Sequence, residues 1–219
     1  MKRGMLIDFD GTLVDSEPIH YQANAKAFRE IGHSVDPQEY YYYWSLLGES
    51  FQGEIKRHQL ENVNVEVLKE KSNRYFNQLC EENIIPLMPG ALAFIEEIQR
   101  RGIQFIIASN TPTAKIQRIL SKTQLRKFTI PAVGNDGKLR NKPFPDIFLA
   151  AAERLKLKPV ECVAVEDTVK GLNAALNADI TCIIIKSHRY DYRTISFKGA
   201  HSVFNSLMDY TEAIPIYFS

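Results

Sequence analysis

The chain has 219 residues, of which 45% are hydrophobic and 24% are charged. This composition is typical of a globular protein and excludes collagen-like, low-complexity and wholly disordered classes. The 27 basic residues nearly balance the 26 acidic ones, so charge gives no reason to expect nucleic acid or an anionic membrane as a partner. No apolar run reaches the roughly 20 residues that a membrane span needs. The three cysteines are widely spaced, which argues against a disulfide framework or a zinc site and favours a cytoplasmic location.

The first predicted element is a buried strand at residues 5–9, an apolar run that ends in acidic residues. The next strand candidate begins at Gln104, 94 positions after Asp10, and a single crossover helix would need far fewer residues. Apolar residues recur at helical spacing over 19–31 and 65–79, with Ile31 the last on the first face, and a shorter stretch holds Phe51 and Ile55. We therefore expect residues 16–86 to form an inserted, all-helical domain.

From residue 91 onwards, predicted helices and strands alternate along the chain. Such alternation predicts an α/β core in which helices cover both faces of a Rossmann-like parallel sheet. The predicted core is discontinuous and comprises residues 1–15 and 87–219. Its later strands are expected at 104–109, 130–133, 162–166 and 181–185, and its helices at 91–101, 113–123, 145–155 and 168–177.

The segment Asp8-Phe9-Asp10-Gly11-Thr12 follows the first strand and carries two carboxylates at positions i and i+2. Side chains two residues apart on a strand point to the same side, so the two acids should lie together and need a cation for compensation. An incidental strand-end turn and a calcium loop are the alternatives. The calcium loop is disfavoured because an EF-hand requires glycine at the sixth position, where this chain has Leu13.

A second acidic pair, Glu166 and Asp167, ends the predicted strand 162–166 and precedes Thr168, a good N-cap residue. Ligands of open α/β sheets bind beyond the carboxyl ends of the strands, where both acidic pairs should meet. Four carboxylates with oxygen ligands only suit a hard cation such as Mg²⁺.

Two further segments favour an anionic ligand. The sequence Ser109-Asn110-Thr111-Pro112 closes a predicted strand and opens a helix, with Thr111 expected as the N-cap and Pro112 as the first helical residue. Free backbone N–H groups and a hydroxyl at such a position can hold a phosphate. Lys142 supplies a cation after the strand predicted at 130–133.

The motifs DFDGT, SN, KPFPD and VEDT occur in this order along nearly the whole chain and resemble the four motifs of the haloacid dehalogenase (HAD) superfamily. The helical insertion after the first motif is similar to the cap of the C1-cap subfamily, which includes phosphoglycolate phosphatase, β-phosphoglucomutase and related sugar-phosphate phosphatases. The resemblance implies a small phosphorylated metabolite as substrate, Mg²⁺ as cofactor and a cap that acts as a lid.

The resemblance also assigns roles to individual residues. Asp8 would be the nucleophile and Asp10 the general acid and base. Glu166 would orient a water or a ligand of the metal, and His20 in the first cap helix is a candidate partner of Asp10. The implied metal ligands are Asp8, Asp10 through its carbonyl, and Asp167, and the implied phosphate-binding residues are Gly11, Thr12, Ser109, Asn110 and Lys142.

The function expected from these features is Mg²⁺-dependent hydrolysis of small phosphorylated metabolites through an aspartyl-phosphate, by a monomer or weak homodimer. A β-phosphoglucomutase-like isomerase and a non-catalytic HAD-like binding protein are the alternatives. Mutase-like relatives carry a cap arginine shortly after a glycine, and this chain has Gly48-Glu49-Ser50 instead.

The aromatic run Tyr40–Trp44 could form core or line a substrate pocket. A solvated basic turn is expected to contain Lys186, His188, Arg189 and Arg193, which could alternatively meet a second anionic group.

Overall fold

The computed structural model describes residues 2–187, 190 and 192–218. The chain divides into two compact units, one of which comprises Met1–Asp15, Ile85–His188 and Tyr192–Ser219, while the other contains the helical segment Ser16–Ile84. The sequence predicted a change of domain at residues 15–16 and 86–87, close to these bounds. Each unit has its own packed interior.

A parallel sheet forms the centre of the first unit. Within the described residues it has six strands in the order β3-β2-β1-β4-β5-β6. All of β1 and β4 is buried, which explains why these strands appear in the sequence as continuous apolar runs. The strands are β1 (Gly4–Ile7), β2 (Gln104–Ala108), β3 (Ala132–Val133), β4 (Cys162–Glu166), β5 (Thr181–Ile185) and β6 (Ser202–Phe204).

The order of the strands creates a switch point at β1. The chain adds β2 and β3 on one side of β1, then returns to place β4 on its other side, with Ile7 level with both Ile107 and Val165. Right-handed crossovers running in opposite directions place their helices on opposite faces of the sheet. The resulting crevice lies beyond the carboxyl ends of β1 and β4, where ligands bind in folds of this kind.

Helices cover the sheet. Residues from two of them, Phe148 in α7 and Leu172 in α8, belong to one buried cluster with Leu6 of β1, whereas Phe94 in α5 packs on Tyr210 in α9. The helices of this unit are α5 (Ala91–Arg100), α6 (Thr113–Ser121), α7 (Asp146–Arg154), α8 (Val169–Asn177) and α9 (Leu207–Tyr217). Gln124–Lys127 and Pro159–Glu161 form single 3₁₀ turns.

The second unit is helical. Its α1 and α4 are joined by Asn24, which accepts a hydrogen bond from Ser72 at 2.5 Å and donates one to Tyr40 at 3.0 Å. The aromatic run Tyr40–Trp44 lies within a π-helix, Tyr40–Leu46, whose Tyr40 and Trp44 are buried in this unit's core. The helices are α1 (Glu17–Arg29), α2 (Pro37–Glu39), α3 (Phe51–Arg57) and α4 (Val65–Glu82).

The two chain segments that lead into and out of the helical unit pair with each other inside the first unit. The Asp15 amide donates to the Pro86 carbonyl at 2.8 Å, and the Met88 amide donates to the Leu13 carbonyl at 3.0 Å. These bonds form the antiparallel bridge at Val14. The segment between them therefore begins and ends at neighbouring points.

The predicted α/β fold class is confirmed, with local differences. The first strand, predicted at 5–9, is Gly4–Ile7 and ends before the two acidic residues. Helix α1 ends at Arg29, so Ile31 lies beyond it and is 42% exposed instead of facing the core. Strand β6 and helix α9 were not predicted, because β6 has no buried residue and α9 contains Pro215 in its last turn. Among the described residues, every helix is too short or too polar to span a bilayer.

Candidate active site

The DFDGT segment forms a tight turn at the carboxyl end of β1. The Asp8 amide continues the sheet by donating to Val165 at 2.9 Å, so Asp8 is held beside the last residues of β4. Gly11 has a φ of +80°, a conformation that favours glycine, and a Cβ atom on it would lie 2.3 Å from Oδ2 of Asp167. Glycine is thus needed both for the turn and for the close approach of Asp167.

Lys142 is buried between two of the predicted site residues. Its Nζ donates to Oδ1 of Asp8 at 2.6 Å, to Oε1 of Glu166 at 2.6 Å and to the carbonyl of Ala108 at 2.7 Å. The Lys142 side chain is only 2% exposed. The three bonds satisfy every donor of the ammonium group and fix its position between β1, β2 and β4.

The electrostatic state of the site follows from this burial. Burial, then the charge of Glu166, raises the pKa of Asp8 to about 7. Burial alone would lower the pKa of Lys142, but the charges of Asp8 and Glu166 outweigh it and raise that pKa above its ordinary value. Lys142 is therefore charged at neutral pH, whereas Asp8 needs further positive charge before it is fully ionised.

Asp10 contacts two hydroxyl groups that follow β2. Thr111 Oγ1 donates to Asp10 Oδ2 at 2.6 Å, and Ser109 Oγ lies 3.4 Å from the same oxygen. The prediction that Thr111 is an N-cap is wrong, because its hydroxyl is used by Asp10. Helix α6 begins at Thr113 instead, and Asp136 accepts the Thr113 amide at 2.8 Å.

The remaining predicted phosphate-binding residues lie in the first unit as well. Asn110 Oδ1 accepts the backbone N–H of Lys142 at 2.9 Å and so ties the two motifs together. Thr12 is buried, and its hydroxyl has no hydrogen-bond partner among the residues that the structure describes. Thr12 also lines a small cavity with Met88, Leu207 and Lys186.

The structure also identifies a residue that the sequence analysis did not assign to the site. Gly171 in α8 lies against the carboxyl group of Glu166, and a Cβ atom there would come within 2.1 Å of both carboxylate oxygens. The Thr168 hydroxyl caps α8, as predicted, by accepting the Gly171 amide at 3.2 Å. Glu166 is thus held between Lys142 and the first turn of α8.

Two further predictions concern His20 and the basic turn after β5. His20 belongs to the helical unit, where its ring lies 4.5 Å from that of Phe76, and its role toward Asp10 stays a prediction. In the basic turn, Arg193 is exposed and Lys186 is partly buried. The other two candidates of that turn, His188 and Arg189, lie outside the described residues.

The site's donor set fits a hard divalent cation. Carboxylate oxygens of Asp8, Glu166 and Asp167 lie within 4.8 Å of one another, and all three residues are buried. These three carboxyl groups share one ammonium group, that of Lys142, which contacts Asp8 and Glu166, so the site holds more acidic than basic groups in a region of low polarity. Oxygen-only ligands at this spacing suit Mg²⁺ or Ca²⁺ better than softer metals.

Comparison with known proteins shows the family of the chain. Residues 2–179 match the family model for haloacid dehalogenase-like hydrolases. The structure of CbbY from Rhodobacter sphaeroides in complex with phosphate is 28% identical, has a TM-score of 0.78, and the match covers 94% of this chain and 95% of that one. A complex of a CbbY variant with xylulose-(1,5)bisphosphate has a TM-score of 0.79 at 27% identity, with the same coverage.

Curated sequences extend the comparison. A phosphorylated carbohydrates phosphatase from Thermotoga maritima is 29% identical, over 80% of this chain and 81% of that protein. Two relatives from Arabidopsis thaliana are much longer. This chain spans 18% of the length of SUPPRESSOR OF QUENCHING 1, at 29% identity over 84% of the chain, and 53% of a bifunctional riboflavin kinase/FMN phosphatase, at 30% identity over 94%. From the matched family model and the four motifs gathered at one edge of the sheet, we conclude that the chain belongs to the haloacid dehalogenase-like hydrolases.

Proposed function

We propose that this protein is a Mg²⁺-dependent phosphatase of phosphorylated sugars and related small metabolites. The observation that carries the proposal is the buried cluster of Asp8, Glu166 and Asp167, with the Lys142 ammonium group bonded to two of them. Solved and curated relatives support the substrate class, since one is named a phosphorylated carbohydrates phosphatase and another is a complex with xylulose-(1,5)bisphosphate. We further propose a cytoplasmic location and a monomeric or weakly dimeric state.

In the first step, an Asp8 carboxylate oxygen attacks phosphorus, the bond to the alcohol oxygen breaks, and an aspartyl-phosphate forms. Asp10 donates its proton to the departing alkoxide. In the second step Asp10 takes a proton from water, whose oxygen attacks the phosphoenzyme and releases inorganic phosphate and free Asp8. Thr111 and Ser109 orient the Asp10 carboxyl group during both transfers.

The positively charged and hydrogen-bond-donating groups of the site would act on the phosphoryl oxygens. The Lys142 ammonium, whose three donors are already engaged, would stabilise the charge on these oxygens in the transition state through its own charge, and the Ser109 hydroxyl would donate to them. Asp8, the Asp10 carbonyl and Asp167 would hold Mg²⁺, and the ion would supply the charge that lets a carboxylate approach a phosphate dianion. Glu166 keeps Lys142 in place through its 2.6 Å bond.

We propose that the helical unit, residues 16–86 of the sequence, is a lid that excludes water and selects the substrate. This role follows from the position of the unit in the chain, directly after the nucleophile segment. The choice between hydrolysis and phosphate transfer within a sugar depends on the same unit. We favour hydrolysis because Glu49 replaces the arginine expected of a mutase, and the nearby Arg57 is engaged by Glu49 and Glu54.

The test is phosphate release from a panel of sugar phosphates with Mg²⁺, measured for the wild type, Asp8→Asn and Asp209→Asn. Asp209 is exposed on α9 and controls for the loss of one carboxylate. We expect turnover by the wild type and by Asp209→Asn, none by Asp8→Asn, and a phosphoryl group on Asp8 after acid quenching. Equal phosphate release by Asp8→Asn would refute the mechanism. Sugar isomerisation in excess of phosphate release, with a bisphosphate activator, would favour the mutase.

A further inference from the structure

The helical unit contains a second cluster of metal-ligating side chains, which the phosphatase chemistry does not use. It consists of His33, Glu39, Glu54 and His58, called here the His–Glu cluster. His33 lies in the turn after α1, Glu39 ends α2, Glu54 lies in α3, and His58 follows α3 directly. Glu54 and His58 are four residues apart, a spacing that puts two side chains on one helical face.

The ligand atoms of the cluster point at one another. Nε2 of His33 lies 2.8 Å from Oε1 of Glu54, and Nε2 of His58 lies 3.5 Å from that same oxygen. Nε2 of His58 is also 2.9 Å from Oε2 of Glu39. The ligand atoms of His33, Glu54 and His58 all lie within 4.8 Å of one another.

These separations are close to those of a tetrahedral metal site. With metal–ligand bonds of about 2.0–2.2 Å, neighbouring ligand atoms on a tetrahedral Zn²⁺ are about 3.3 Å apart. The three distances measured between nitrogen and oxygen atoms of the cluster differ from that value by roughly 0.5 Å or less. His58 and Glu39, whose side chains are 33% and 42% exposed, have room to adjust around an ion.

Hydrogen bonds engage one carboxylate oxygen of Glu54, and the other oxygen faces the two histidines as a candidate metal ligand. Glu54 is fully buried, and its Oε2 accepts hydrogen bonds from Trp44 Nε1 at 3.0 Å and from the Arg57 guanidinium. These contacts turn Oε1 toward both imidazole rings. They resemble the supporting hydrogen bonds that orient a carboxylate ligand in metal sites.

The charges also favour a divalent cation. The ion pairs in and around the His–Glu cluster contain three carboxylates and one guanidinium. Arg57 pairs with Glu49 and Glu54, and Glu39 pairs with His58. With both imidazoles neutral, these three carboxylates and one guanidinium carry two excess negative charges, which one divalent ion would neutralise. Protonation of both histidines would neutralise the same charge, and this is the competing explanation of the geometry.

We propose that the His–Glu cluster binds one Zn²⁺ through His33, Glu39, Glu54 and His58. Imidazole nitrogen and carboxylate oxygen are common zinc ligands, and zinc binds the neutral form of the imidazole. The wide spacing of the three cysteines predicts no zinc site, but histidine and glutamate provide the ligands of this one. The ion would connect the turn after α1 to α2 and α3 and so stabilise the helical unit.

The test is titration with Zn²⁺ in excess Mg²⁺, so that the acidic site of the first unit is filled. The proteins are the wild type, His33→Gln, His58→Gln and the control His201→Gln, whose histidine is exposed in the first unit. We expect one tightly bound Zn²⁺ in the wild type and the control. Loss of one ligand should weaken binding about 100-fold, since even changes to residues that support a ligand cost up to that factor. Co²⁺ as a probe should give visible absorption typical of a four-coordinate site in the same two proteins only.

Two results would overturn the proposal. One is a wild-type Kd for Zn²⁺ weaker than about 10 µM, which corresponds to roughly −7 kcal/mol and is too weak for a built site. The other is equal binding by His58→Gln and the wild type, with circular dichroism showing that both are folded. Asp8→Asn should bind Zn²⁺ as the wild type does, so failure of the phosphatase proposal and failure of this one can be told apart.

Discussion

The substitution Lys142→Met tests the charge arrangement at the centre of the active site. The change keeps most of the apolar side chain but removes the ammonium group, leaving Asp8 and Glu166 buried without the cation that lies 2.6 Å from each. Breaking a buried ion pair by removing one partner costs about 3–5 kcal/mol. In a chain of this size each kcal/mol lowers the melting temperature by about 2–4 °C, so we expect a fall of about 10 °C without added metal.

The partner substitution makes the prediction specific to charge. Glu166→Gln in the Lys142→Met background removes one of the two uncompensated carboxylates, and the double variant should melt at a higher temperature than Lys142→Met alone. Lys198→Met removes an exposed lysine and should change the melting temperature little. The assay is thermal unfolding followed by circular dichroism in the presence of a chelator. A loss below about 1 kcal/mol for Lys142→Met, or no recovery in the double variant, would refute the reasoning.

Three further predictions concern the same site. Thr111→Val removes the hydrogen bond to Asp10 and should lower kcat roughly 10- to 150-fold with KM unchanged, since bonds to charged groups contribute about 1.5–3 kcal/mol; an unchanged kcat contradicts the positioning role. Gly171→Ala pushes the Glu166 carboxyl group away from Lys142, so steady-state kinetics should show lower kcat, and wild-type activity would contradict this. The Asp8 pKa of about 7 means that a metal must displace a proton in acid but not in base. Mg²⁺ should therefore raise the melting temperature more at about pH 8.5 than at pH 5.5, and a pH trend that persists in Asp8→Asn counts against the assignment.

The sequence predicted the parts of the fold that depend on local pattern. The strands at 104–109 and 162–166 are continuous apolar runs, and the structure has them at Gln104–Ala108 and Cys162–Glu166. The acidic pairs at the ends of β1 and β4 could be placed together because parallel strands end at one edge of the sheet. The family resemblance, now confirmed by the matched family model, supplied the roles.

The parts that were missed depend on contacts between distant segments. Thr111 has the sequence context of a helix cap, and only the folded chain shows that it lies beside Asp10, 101 residues away. Gly171 is similar, since a glycine inside a helix gives no sign that a carboxyl group packs against it. Strand β6 has polar and exposed residues, so its pairing with β5 left no apolar pattern to detect.

The paired segments at the base of the helical insertion have an implication for protein engineering. Since Asp15 bonds to Pro86 and Leu13 to Met88, an insertion from another family member could be joined at the same two points without lengthening either junction. The exchange would leave the DFDGT turn and Lys142 unchanged. If the helical unit selects the substrate, as we propose, the exchange should transfer substrate preference from the donor while the recipient keeps its phosphate-binding residues.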